Sequence, residues 1–305
     1  LRGTKVATAP DVLFLPSGHL NIPAGIRTLS NGLFREEAEK ALEANNYHSG
    51  FYFTPSVRND SLYAMKDAKN PQSSSTFQGL NTVSLFIEIR GIGLGRACFA
   101  RRAECGFLVS RSLLETAALH SKEVRSEIRK AVKETCSGKS DISVTFQSAR
   151  TELPVTFIDL AKNERFTEPL PTFDALQLKA ELVRKRPKAY ILPNTCRMQA
   201  EKLRALGIEV EEIGKTFTAT VEKYIVTGYK KVTKEWEKIY PVTVSTRTVK
   251  EKKSFPAGCF IIRLSQKNAN LATTLLEPES VNGFVNFEVV HTEFGKELPI
   301  YRKGF

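Results

Sequence analysis

The 305-residue chain has few of the residues that usually mark chemistry: only four histidines, and five cysteines (Cys98, Cys105, Cys136, Cys196 and Cys259) with no Cys-x-x-Cys pair among them. That spacing excludes a cysteine-rich zinc module. The odd number leaves at least one thiol free in a monomer. No apolar run reaches the ~18 residues of a membrane-spanning helix, so no membrane span is expected. No Gly-x-Ser-x-Gly elbow is present, which excludes a serine hydrolase of that type. There is no internal repeat and no signal segment. The chain opens Leu1-Arg2-Gly3-Thr4-Lys5 without a methionine, which reads as a missing native N-terminus.

What is present is the composition of a soluble globular protein, 41% hydrophobic and 26% charged, and long enough for two domains with cores of their own. The net charge of +12 raises the question of an acidic partner. The basic residues are scattered, however, and no lysine/arginine block is interleaved with aromatics, so no nucleic-acid partner is expected. The densest groups are Arg184-Lys185-Arg186, Lys230-Lys231 and Lys250-Glu251-Lys252-Lys253. Two of them sit among strand-like residues and read as solvated turns or strand edges. Charge is read first as a solubility feature.

Along the chain, Asp11 to Leu15 reads as a short strand. A helix is expected from Pro23 to Ala44, with Ile26, Leu29, Leu33, Ala38 and Leu42 as its apolar stripe. Phe51 to Thr54 reads as strand, and Pro55 to Phe77, which contains Pro71-Gln72-Ser73-Ser74-Ser75, as a long polar loop. The longest helix is expected over Arg101 to Glu134, where Phe107, Leu114, Ala117, Val124, Ile128 and Ala131 recur at helical spacing. Ser137-Gly138-Lys139-Ser140-Asp141 stops it. From Ile142 onward the pattern is mostly extended, with one short helix near Cys196 to Leu206 ended by Gly207. The expected division is residues 1–138 and 139–305, the second strand-rich.

The most informative stretch is Asn81-Thr82-Val83-Ser84-Leu85-Phe86-Ile87-Glu88-Ile89-Arg90-Gly91-Ile92-Gly93-Leu94-Gly95-Arg96. An apolar, β-branched run reads as a buried strand, and a carboxylate where it ends is either paired or employed. On composition alone, an ion pair of Glu88 with Arg90 is the plainer reading. The glycines lack the spacing of a dinucleotide fingerprint, and no Lys-Ser/Thr follows as in a phosphate loop, so a turn is the better account. His120-Ser121-Lys122-Glu123 has His-x-x-Glu spacing, which places both side chains on one helix face. No third ligand accompanies it, and its neighbours alternate charge like a solvated helix. His19 and His48 stand alone in loops and His291 in a strand-like run. All three read as surface or structural. Tyr52 and Tyr63 precede the glutamate strand and read as packing or loop surface.

Ser84-Leu85-Phe86-Ile87-Glu88-Ile89-Arg90 resembles the catalytic-glutamate strand of zinc carboxypeptidases of the carboxypeptidase A type. The resemblance extends to Asn21-Ile22-Pro23, Gly50-Phe51-Tyr52-Phe53-Thr54, Gly79-Leu80-Asn81-Thr82-Val83 and Gly95-Arg96 to Arg101-Arg102. Further along it takes in Arg186-Pro187-Lys188-Ala189-Tyr190-Ile191-Leu192-Pro193, Leu203 to Ile208, Pro256-Ala257-Gly258 and Leu276-Glu277-Pro278-Glu279-Ser280. It therefore runs over nearly the whole chain and is similar to a microbial branch of the family.

The resemblance implies an α/β fold: the C-terminal part of a mixed-sheet carboxypeptidase-like α/β domain, followed by a strand-rich accessory domain. It implies a zinc metallocarboxypeptidase, a hydrolase of C-terminal peptide bonds, with peptide or protein C-termini as partners and Glu88 as the catalytic proton carrier. Secretion, or export to a periplasm, is the implied location. In the family the His-x-x-Glu zinc motif lies well upstream of the glutamate strand, with a further histidine between, and this chain has neither in that order. His120 and Glu123 follow Glu88 and are rejected as ligands, and His19 lies in a segment that in the family follows the ligand. Zn2+ is therefore expected in a parent enzyme, and no metal ligand or bound zinc in this chain alone. A C-terminal part of a larger product is the favoured explanation. The alternative is a non-catalytic binding or interaction protein on a degenerate peptidase fold.

Overall fold

A computed structural model describes residues 6–8, 10–58, 61–66, 79–91, 94–235 and 238–304. The segment 67–78, with Pro71 to Ser75, lies outside the described residues. The described residues form a mixed α/β structure with three sheets, of five, six and three strands.

Strand β1 (Val6–Thr8) is followed by β2 (Val12–Leu15), the centre of the three-stranded sheet. A helical run follows as α1 (Ala24–Thr28), a π-helical segment Leu29–Phe34 and α2 (Arg35–Glu43). Pro23 stands just before the first turn, where its missing N–H is harmless. Ile26, Leu29, Ala38 and Leu42 are buried as their spacing requires, whereas Leu33 is only half-buried. Beside β2 lie β3 (Ser49–Phe51), parallel, and β6 (Phe86–Ile89), antiparallel.

Between these come β4 (Thr54–Arg58) and β5 (Ser61–Lys66), a hairpin where a loop was expected. The polar surroundings of this hairpin hide its short alternating runs, and its partner, far along the chain, is invisible to local pattern: Ala64 to Lys66 pair in parallel with Thr172 to Asp174.

The long helix expected over 101–134 is two helices, α3 (Phe99–Leu119) and α4 (Ser121–Ser137), broken at His120, whose φ of −97° and ψ of 21° leave the helical region. Gly138 closes α4 at φ 64°. The apolar stripe expected on this helix is also corrected. α3 packs through Cys105, Val109, Ser112 and Thr116, leaving Phe107 and Leu114 on the outer side, 62% and 72% exposed. Tertiary placement chose the less hydrophobic stripe.

Strands β7 (Ile142–Asp159) and β8 (Glu164–Arg184) form a long irregular hairpin and carry the five-stranded sheet, ordered β1-β7-β8-β5-β4. Asp159 Oδ1 accepts the N–H groups of Ala161 and Lys162, and Asn163 takes φ 57°, which together reverse the chain. Strand β8 runs through Pro169 and Pro171, residues that are unfavourable inside a sheet. Both fall where only β7 flanks it, so no second ladder needs their absent N–H groups.

The remaining chain builds a six-stranded, wholly antiparallel sheet. Its elements are β9 (Ala189–Leu192), α5 (Arg197–Ala205), β10 (Glu211–Glu212), β11 (Phe217–Lys231), β12 (Val242–Phe255), β13 (Phe260–Arg263), α6 (Ala269–Leu276) and β14 (Glu297–Lys303). Alternation divides each strand. Tyr190, Leu192, Tyr224, Val226, Phe260 and Ile262 face α5 and α6, while Ala189, Ile191, Ala219, Val221 and Ile261 build a smaller core on the opposite face.

Polar side chains join the helical region to the strand-rich C-terminal half. Asn21 donates Nδ2 to the Ser143 carbonyl and accepts the Ser143 N–H, each at 2.9 Å. Asn81, at φ 58°, donates to the Lys267 carbonyl and accepts from Thr135, which in turn accepts from Asn270. The Asn-Ile-Pro and Gly-Leu-Asn motifs thus fix register between regions far apart in sequence.

Candidate functional site

Val12 and Phe14 of β2 and Ile87 and Ile89 of β6 pack against α2 and α3 with Ala38, Leu42, Cys105 and Val109. By strand alternation Leu13, Leu15, Phe86 and Glu88 project from the other face. Glu88 pairs in register with Leu13, and its strand is half-buried along all four residues rather than fully buried as expected. Among the described residues, α2 and α3 pack on one face of this sheet. Among the described residues the Glu88 carboxylate has no ion pair or hydrogen bond, and Arg90, which would have been its partner in the plainer reading, is exposed. Tyr52 meets Phe86 edge-on at 5.6 Å, bringing a phenol ring to the strand face that carries Glu88. Tyr63 lies on β5.

The ground around β6 is firmly held. Buried Asp11 accepts from Arg101 and from the His48 N–H, tying β2 to α3 and to the approach of β3. Arg102 donates to the carbonyls of Gly91 (3.3 Å) and Gly95 (2.6 Å). The described carbonyls of this segment thus face a cation, the opposite of N–H groups offered to a phosphate.

His19 is structural. It is buried, packs edge-on against Phe146 at 5.1 Å, and its Nδ1 accepts the Asn21 N–H. Burial, aided by the nearby Arg27 charge, lowers its pKa from 6.5 to about 4, so it is a neutral ring at neutral pH. His120 and Glu123 approach to 3.3 Å on an exposed helix junction with no third ligand. His291 is exposed and lies in no strand. Among the described residues no group of three or more His, Cys, Asp or Glu is placed to hold a metal ion.

Comparison with known proteins gives this geometry a context. The chain is 29% identical over 296 residues to carboxypeptidase 2 of Trichophyton equinum, an alignment covering 96% of this chain and 55% of that protein. It is a distant homologue of fungal carboxypeptidase 2. The Trichophyton rubrum protein of the same name is 28% identical over 296 residues. A probable carboxypeptidase 2 of Arthroderma benhamiae is 30% identical over 274 residues, covering 88% of this chain and 52% of the relative. The chain spans about half the length of these relatives. No protein-family model matches it, and no solved structure matches it significantly.

Within this carboxypeptidase-related chain, a dense buried electrostatic cluster lies away from Glu88, and in the sequence its members Tyr190, Glu277 and Glu279 stood out only as parts of the family-like segments. Glu277, 1% exposed, accepts from the Tyr190 hydroxyl, from the Tyr224 hydroxyl at 2.9 Å and from Arg184 at 2.8 Å, with Arg302 Nε at 3.6 Å. Arg184 also grips Glu279 with both terminal nitrogens, at 2.6 and 2.8 Å, and Glu279 accepts the Thr246 N–H and hydroxyl. Burial, reinforced by Glu277, pushes the pKa of both tyrosines well up, so they remain donors. Both carboxylates of the cluster are held from several elements at once, which suits a fixed strut joining β8, β9, β11, β12 and the loop after α6. Among the described residues, the structure brings Tyr52, but neither the histidines nor this cluster, to the face of Glu88.

Proposed function

We propose that this chain carries the proton-transferring carboxylate of a carboxypeptidase, and that the enzyme hydrolyses C-terminal peptide bonds. The observation that supports this most directly is the state of Glu88: a carboxylate with no partner among the described residues, on the face of its sheet opposite the packed α2 and α3. A structural glutamate on a half-buried strand is usually paired, because unpaired burial of charge is unfavourable. In the proposed reaction Glu88 takes a proton from the attacking water and returns it to the leaving amine. Tyr52, on the same face, offers a phenol and an aromatic wall to the substrate. The zinc that the resemblance implies is not accommodated by the described residues, which supply no ligand set, so its ligands would have to come from outside them.

Two measurements test this reading. The chain should be produced alone and together with the coding frame that contains it, and assayed on an N-acylated dipeptide. Activity is expected only in the longer product, and Glu88→Gln should lower kcat by about 10²- to 10⁴-fold with KM little changed. Undiminished turnover in that variant would remove Glu88 from catalysis. One tight zinc per copy of the chain alone would overturn the assignment of ligands elsewhere. The missing ligand set also favours a second reading, a non-catalytic binding protein on a peptidase fold. A start codon close upstream of Leu1 and an inactive product would support it.

A further inference from the structure

A cavity of about 660 Å³ lies where the end of α4 meets β9, β13 and β14, and its charged lining consists of cations: Arg186, Lys188, Arg263 and Lys303. Arg186 is 9% exposed. Its Nε donates to the Ser140 carbonyl at 3.0 Å and its Nη2 to Asn270 Oδ1 at 2.7 Å, but its buried Nη1 has no hydrogen-bond partner among the described residues. A buried guanidinium nitrogen without an acceptor is rare and unfavourable, and calls for an explanation such as a bound ion.

Burial lowers the pKa of Arg186, while Tyr190, Asp141 and Glu134 act on it in the opposite direction. The carboxyl end of α4 adds only about half a negative charge. Lys188 has no carboxylate partner among the described residues, and Lys303 lies over the Phe217 ring at 5.6 Å. The Lys188 N–H donates to the carbonyls of Lys303 and Gly304, which holds the approach to β9 against the end of β14, and both lysines line the cavity. Gly304, at φ 70°, leaves room for the Lys188 stem, which a Cβ there would approach to 3.1 Å. Arg263 is paired with Glu211 at 2.9 Å and serves as an outer wall.

We propose that this cavity binds a phosphate-type oxyanion, either free phosphate or the phosphate group of a small organic molecule, with Arg186 as the buried donor and Lys188 and Lys303 as the cations at its mouth. An arginine fork matches a tetrahedral oxyanion, and the lysines add point charges. A half-open cavity of this size fits a small molecule and not a duplex. The site is independent of Glu88 and of any peptidase activity.

The test is calorimetric titration of the purified chain with inorganic phosphate and with glycerol phosphate, at constant ionic strength held with chloride. Saturable binding of either anion is expected, tighter glycerol phosphate identifying an organic phosphate as the natural source and equal or tighter inorganic phosphate the free ion. The Lys188→Gln/Lys303→Gln double variant should bind at least about tenfold more weakly, the effect of losing charge-assisted contacts, with its unfolding temperature in chloride unchanged. A control that removes two distant cations, Lys122→Gln/Lys130→Gln, should bind like the parent. No saturable binding, equal affinity in the double variant, or equal weakening in the control would overturn the proposal.

Discussion

Replacing Glu277 tests whether the buried cluster is a strut. The carboxylate is 1% exposed and receives three direct hydrogen bonds, from Tyr190, Tyr224 and Arg184. In Glu277→Ala, Arg184 keeps its two-pronged hold on Glu279, and Arg302 keeps its 2.8 Å bond to Glu222, so neither cation is stranded. The two tyrosine hydroxyls do lose their acceptor in a dry core, at about 1–3 kcal/mol each. With the lost counter-charge, the expected destabilisation is about 3–5 kcal/mol, a large share of a typical domain's total. Glu277→Gln keeps one acceptor oxygen but turns an N–H₂ toward Arg184 or a tyrosine, and should fall about 1 kcal/mol short of the alanine variant. Equilibrium urea unfolding measures both. In the Glu277→Ala background, converting Tyr190 and Tyr224 to Phe should recover at least about 1 kcal/mol by removing the stranded hydroxyls, a non-additivity that independent sites do not show. Removing the exposed Glu115, paired with Arg111 on α3, should change stability by less than about 0.5 kcal/mol. Equal, sub-kcal/mol effects at Glu277 and Glu115 would refute the reasoning.

Further outcomes are expected of the same structure. His19 binds its proton more weakly folded (about 4) than unfolded (6.5), so the unfolded chain takes up more protons between these values and stability falls as pH drops through that window, by up to about 3 kcal/mol. His19→Gln should lack this part of the pH slope in urea midpoints compared at pH 7 and pH 5, and an unaltered slope would exclude His19 as its source. At Gly18 a Cβ would stand 2.0 Å from the Ala175 carbonyl oxygen, whereas at Gly32 it would meet nothing. Gly18→Ala should therefore destabilise by about 2–3 kcal/mol through backbone overpacking, and Gly32→Ala should be neutral or stabilising by up to about 1 kcal/mol. Thermal melts of the pair decide it, and matching melting temperatures would count against the close approach.

The sequence by itself determined the elements that local chemistry specifies. The α1–α2 run follows from Pro23 and its apolar spacing, the end of α4 from Gly138, and β9 and β13 from short β-branched and aromatic runs. It also singled out Glu88, because a charge in an apolar, strand-forming run is legible without any neighbour. What it could not determine depends on partners distant along the chain. Strands β5 and β8 are each held by partners distant along the chain, and Phe107 and Leu114 turn outward because the packed side of α3 is the one that carries Cys105 and Val109. The same holds for the polar residues in the family-like motifs. Asn21, Asn81, Arg186, Glu277 and Glu279 look alike in the sequence as candidates for chemistry, and only the folded chain separates those saturated with hydrogen bonds from the Arg186 nitrogen that is not. Hydrogen-bond saturation is a property of three-dimensional neighbours, and tertiary structure alone decides it.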